Sequence, residues 1–125
     1  MHPAYEQIQA LALKDYSHLV QNVTLIQTRR SHGSAKLRLY FLEGSFMDVF
    51  LTSSGKYCFH WERRKITGMI YRFDNAPHHP HIGLQHLHDG LEEQVVSYPL
   101  SFDPVEAFKQ VLEYIQRILR SSPTS

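Results

Sequence analysis

KYCFHWER (residues 56–63) and GMIYRFDN (residues 68–75), joined by the short connector Arg64–Thr67, decide the fold. Each run is rich in aromatic and apolar residues and alternates with a period of two, the signature of a β-strand with two different faces. Tyr57, Phe59 and Trp61 share one face of the first strand and Cys58, His60 and Glu62 the other. In the second strand Tyr71 and Phe73 follow Met69 on one side, leaving Ile70, Arg72 and Asp74 opposite. The connector is too short for a parallel crossover, so the two strands pair as an antiparallel hairpin. Burial forces like faces together, which sets His60 and Glu62 beside Arg72 and Asp74.

The same pattern extends outward. Val23–Arg30, Ala35–Leu42, Phe46–Thr52 and Glu93–Tyr98 read as further strands, separated by turn signals at Ser31–Ser34, Glu43-Gly44 and Ser53–Gly55. Pro3 followed by Ile8, Leu11, Ala12 and Leu19 at helical spacing predicts an N-terminal helix from about Pro3 to Val20. At the other end Asp103-Pro104-Val105-Glu106 supplies an N-cap, a first-turn proline and a glutamate for a capping box. An apolar stripe of Phe108, Val111, Leu112, Ile115 and Ile118 follows it. The expectation is an α+β fold: a central antiparallel β-sheet meander of about five to six strands, flanked by an N-terminal and a C-terminal helix. One domain over residues 1–120 and a flexible Ser/Pro/Thr tail at 121–125 complete this organisation.

A formal charge of +1 neither favours nor excludes nucleic acid, since a phosphate-binding face depends on local clustering. Arg63-Arg64-Lys65, Arg29-Arg30 and the pair Lys36/Arg38 are the clusters present. The single cysteine, Cys58, rules out an intrachain disulfide. No N-terminal apolar run resembles a signal peptide or a membrane span, which sets the expectation of a cytoplasmic protein without membrane contact.

Six of the nine histidines fall between His60 and His88. Pro77 and Pro80 forbid a continuous ladder, so His78, His79 and His81 are placed on a loop, while His86 and His88 share one side of an extended segment. Three readings of this cluster compete. In the first, His60 and one of His78, His86 or His88 exchange protons, Asp74 orients an imidazole and Arg72 stabilises negative charge on phosphorus, the set needed to cut RNA by its own 2′-hydroxyl. In the second, a divalent transition metal is held by His86 and His88 with help from Asp74, His60 or His78; no metal-site motif accompanies them. In the third, Asp74 and Asn75 cap a turn and the histidines are tolerated on a solvated loop. A Cys58/His60 nucleophile lacks any glycine element for an oxyanion hole, and Gly83 and Gly90 are too isolated to cradle a nucleotide phosphate.

Tyr57 followed by His60-Trp61, the block from Tyr71 through Arg72-Phe73-Asp74-Asn75-Ala76-Pro77-His78-His79 to Pro80, and His86-Leu87-His88-Asp89-Gly90 ahead of Glu92-Glu93 resemble the TumE-type toxins of type II toxin–antitoxin systems. The resemblance runs from about Leu37 to Tyr114, and its most specific portion is Asp74-Asn75-Ala76-Pro77-His78; Gln85 stands where these toxins often carry another histidine. It implies a cytoplasmic growth inhibitor partnered by a cognate antitoxin and acting on RNA.

Together these readings lead to a toxin-like endoribonuclease. Its catalytic set is His60, Arg72, Asp74, His78, His86 and His88. Arg63, Arg64, Lys65 and Asn75 would hold RNA, joined by Trp61 if its indole is exposed to stack on a base. No cofactor is required, and a metal, if present, would sit on His86 and His88. The alternative is a non-catalytic module that binds a metal ion or a protein partner. A homodimer through sheet edges or the C-terminal helix is compatible with either.

Overall fold

The computed structural model describes residues 2–27, 35–75, 86–89, 94–97 and 100–121, with 86–89 and 94–97 defined by their strand pairing. Helix α1 (Ala4–Lys14) is followed by strands β1 (Val20–Gln27), β2 (Ala35–Phe41), β3 (Phe46–Leu51) and β4 (Tyr57–Arg63). A single helical turn α2 (Arg64–Thr67), β5 (Met69–Asp74), β6 (His86–Asp89), β7 (Gln94–Ser97) and helix α3 (Pro104–Ser121) complete the order. All strands join one antiparallel sheet in sequence order, a pure meander. The expected α+β arrangement is therefore the observed one, with β1–β5 as its main sheet. The described sheet has seven strands rather than five or six, because His86–Asp89 pairs with both β5 and β7.

Helix α1 stops at Lys14, short of the expected Val20. Asp15, Ser17 and the aromatic Tyr16 are weak helix formers. Val20 instead joins β1, which starts earlier than the sequence pattern suggested, and residues 28–30 of the expected strand lie outside the described residues. The connector between β4 and β5 is one helical turn, closed by Gly68 at φ +80°, a left-handed position that glycine takes without steric cost. The cap at α3 forms as expected on one side: Asp103 Oδ2 accepts from the Glu106 backbone N–H at 2.9 Å. Glu106 itself turns to Lys109 at 3.3 Å.

Both helices pack on the same side of the sheet. Phe108, Val111, Leu112 and Ile115 of α3 and Ile8 and Ala12 of α1 are fully buried against Leu37, Leu39, Met47, Val49, Phe59, Trp61 and Phe73. Each of the larger of these side chains contributes about 1.5–3 kcal/mol by leaving water. Ring contacts tie the layers together: Phe73 meets Tyr114 edge-on at 5.2 Å and Phe59 lies 6.4 Å from Phe108. One tyrosine clasps α1 to the sheet and another ties the sheet to the segment ahead of α3. Tyr5 donates to the Ala35 carbonyl at 2.8 Å and accepts from the Leu51 N–H at 2.9 Å, while Tyr57 donates to Ser101 O at 2.6 Å.

Candidate functional site

Strand alternation leaves the other side of the sheet without a helix among the described residues, and the chemistry-bearing side chains collect there. Register makes the arrangement specific. Arg38 stands opposite Asp48, Asp48 opposite His60, His60 opposite Arg72, and Arg72 opposite the backbone position of His88. One row thus crosses five strands. The neighbouring row runs Phe50, Cys58, Asp74 and the position of His86. The hairpin register expected from burial is the one found for His60 and Arg72; Glu62 lies opposite Ile70, and Asp74 opposite Cys58.

His60 is about one-quarter exposed, and its Nε2 lies 3.5 Å from Glu62 Oε1. Glu62 is also gripped by Arg64, whose Nη2 and Nε lie 2.7 Å and 2.9 Å from the carboxylate oxygens and whose backbone N–H donates at 2.9 Å. The Arg64 hydrogen bond holds the Glu62 carboxyl well below its ordinary range, at about 2, so it is an anion facing the imidazole at any physiological pH. Arg72 is exposed. Asp74 is buried, and its charge adds to the burial that lifts the Tyr57 hydroxyl. Burial pushes the Cys58 thiol up to about 12, leaving it protonated and removing it as a nucleophile.

Several expected binding residues have other duties. Trp61 is fully buried, donates its indole N–H to Ser45 Oγ at 2.9 Å and stacks on Tyr71 at 4.8 Å, so no ring face is left for a base. It lies on the core side because it alternates with His60 rather than sharing its face. Arg63 is buried too, lying 4.8 Å over the Trp61 ring and 3.3 Å from Glu43 Oε2, which withdraws it from any phosphate. Arg64 is exposed but committed to Glu62, while Lys65 is exposed on α2. The Asn75 amide is used inside the protein: its oxygen accepts from Tyr57 N–H at 2.8 Å and its nitrogen donates to Gly55 O at 2.9 Å. His78 lies outside the described residues, and His86 and His88 are fixed here only by register. No group of three His, Cys, Asp or Glu side chains suited to a metal ion occurs among the described residues; the metal expectation on His86 and His88 concerns side chains outside that description.

Sequence reasoning missed Asp48. Its carboxylate receives Arg38 Nε at 2.7 Å, Arg38 Nη2 at 2.9 Å and Lys36 Nζ at 2.9 Å, and it is nearly buried. Burial alone would raise its carboxyl, but the hydrogen bonds from Arg38 and Lys36 outweigh it and hold the group below its ordinary range. The clue was available: a lone aspartate inside the apolar strand FMDVFL, one strand from Lys36 and Arg38.

The fold and this face define a class, a small α+β domain that displays charged side chains and the His60 imidazole across an open sheet. The family model described as Toxin TumE matches residues 9–119, and the chain belongs to that toxin family. No curated protein and no solved structure matches it. Among the described residues no helix is long and apolar enough to cross a membrane.

Proposed function

We propose that the chain is the toxin of a toxin–antitoxin pair and that it inhibits growth by cutting RNA on the open sheet face. The observation that carries this reading is the cross-strand row that puts Arg72 between His60 and the position of His88. Membership of a toxin family supplies the cellular context and, with it, the expectation of an antitoxin partner. In this mechanism the His60 imidazole takes the proton of a 2′-hydroxyl, whose oxygen attacks the adjacent phosphorus. Arg72 stabilises the charge that builds on the non-bridging oxygens. The P–O5′ bond breaks as His88 donates a proton to the departing oxygen, leaving a 2′,3′-cyclic phosphate and a 5′-hydroxyl. Glu62, anionic and 3.5 Å from Nε2, sits beside the His60 ring on the same face. Asp74, at the register position of His86, would orient that ring. The attacking oxygen belongs to the RNA itself, so no activated water is required.

His60→Ala and His88→Ala should each abolish growth inhibition without changing thermal unfolding. Purified protein incubated with total RNA, with and without chelator, should cleave in both conditions, and each variant should not. Toxicity that survives loss of both rings rejects the site. Cleavage that chelation stops would move the chemistry to a metal.

A further inference from the structure

With Arg63 buried and Arg64 balanced one-to-one by Glu62, the expected RNA-guiding cluster is not on the surface as a set, yet the open face carries another one, in which two cations share a single carboxylate. Lys36 and Arg38 on β2 lie over phenylalanine rings of β3: Lys36 Nζ is 5.5 Å from the centroid of Phe50 and Arg38 Cζ is 4.2 Å from that of Phe46. Tyr40 stands opposite Phe46 and is exposed, as is Phe50, at 41%. The three charges of this patch are unevenly placed. Asp48 is the buried member, with 7% of its side chain exposed against 22% for Lys36 and 26% for Arg38. Its carboxylate therefore fixes the two cations from beneath, and the patch carries one net positive charge toward solvent.

We propose that this patch is a docking platform for single-stranded RNA, with Phe50 and Tyr40 as stacking surfaces and Lys36 and Arg38 as phosphate contacts. The proposal rests on the RNA-cutting reading above and names where the substrate lies. Cations held over aromatic rings and bonded to Asp48 are already ordered, so little side-chain freedom is lost when a phosphate arrives. Unpaired bases can stack on exposed rings, whereas a duplex keeps its base faces covered. Geometry links the platform to the site: Arg38 and Arg72 belong to one row three strands apart, roughly 14 Å at the usual strand spacing. A strand held at Lys36 and Arg38 thus reaches His60 and Arg72 across a continuous surface.

The test uses a short fluorescein-labelled RNA of mixed sequence with 2′-O-methyl groups, which can bind but cannot attack itself. In fluorescence anisotropy Phe50→Ala should weaken binding roughly 5- to 150-fold, the range expected for losing one stacked base, and Phe50→Trp should restore it. Lys36→Gln should lower the slope of log affinity against log salt by about 0.7, the value for one phosphate contact on a single strand. Circular dichroism should show the fold retained in each variant. Wild-type protein that does not bind the strand, or Phe50→Ala protein that binds as wild type does, overturns the platform. His60→Ala separates the two readings, since it should bind the blocked strand normally while failing to cut natural RNA. If Phe50→Ala binds normally and His60→Ala still fails to cut, only the platform is lost; if His60→Ala cuts and Phe50→Ala does not bind, only the catalytic assignment is lost.

Discussion

Replacing Asp48 by asparagine should make the protein less stable and, at the same time, a better RNA binder. The carboxylate accepts three hydrogen bonds from Lys36 and Arg38, at 2.7 to 2.9 Å. A charge-assisted hydrogen bond is worth about 1.5–3 kcal/mol and a neutral one about half that. Asparagine keeps one acceptor oxygen but turns an NH2 group toward a donor, so one bond is lost and the others weaken. Because the cations are partly exposed, water replaces some of what is lost, and the net cost is about 2 kcal/mol, below the ~3–5 kcal/mol for breaking a fully buried pair. Urea unfolding followed by the fluorescence of Trp61, the only tryptophan, should show a midpoint about 1 M lower. The pH dependence has a definite sign. The folded carboxyl is held below its ordinary value of 3.8, so its contribution is complete above that pH and fades as the pH falls through the depressed folded value. The gap between wild type and variant should therefore close in acid. On the surface the same substitution removes the one negative charge beneath Lys36 and Arg38, so affinity for the blocked RNA should rise and its salt dependence steepen. An unfolding free energy unchanged within about 0.5 kcal/mol would mean that the triad behaves as an ordinary surface pair and that Asp48 does not organise the patch.

Trp61→Phe should cost about 1–3 kcal/mol in urea unfolding followed by far-UV circular dichroism, from the lost Ser45 hydrogen bond and the unfilled volume, while leaving RNA affinity unchanged; a binding defect in a stable variant would return the indole to the interface. Cys58, protonated because burial lifts its thiol to about 12, should resist alkylation by iodoacetamide at neutral pH until urea unfolds the chain, and rapid labelling of native protein, read by mass spectrometry, would contradict its placement.

The hairpin was legible because alternation and burial together leave one register for two amphipathic strands: pairing Phe59 with Phe73 necessarily pairs His60 with Arg72. Helix α3 was legible for a similar reason, since its cap and apolar stripe are both local signals. What escaped was set by tertiary contacts. Arg63 looked like one of three surface cations, yet it is the next residue on the core face after Trp61 and is drawn in by that ring and by Glu43. Asp48 and Lys36 are 12 residues apart, and no periodic pattern announces their bond. The start of β1 slipped because Val20, an apolar residue at the end of a helical pattern, satisfies β1 as well as α1, and pairing with Phe41 decides between them.

Asn75 shows why the histidine-bearing segment should be judged with the sheet rather than apart from it. Its side chain spends both its functional groups on the β3–β4 turn and the start of β4, and its own N–H reaches Tyr57 O at 3.4 Å. The end of β5 is thereby fastened to the first residue of β4, on the strand that carries His60. Tyr57 is in turn anchored through its hydroxyl to Ser101, ahead of α3. β5 therefore ends at a fixed point next to the Cys58–Asp74 pair, and β6 begins at His86, opposite Asp74. The end of β5 and the start of β6 both lie within one row of His60 and Arg72. An amide that the sequence pattern assigned to RNA thus acts one step earlier, by fixing where the histidine-rich segment begins.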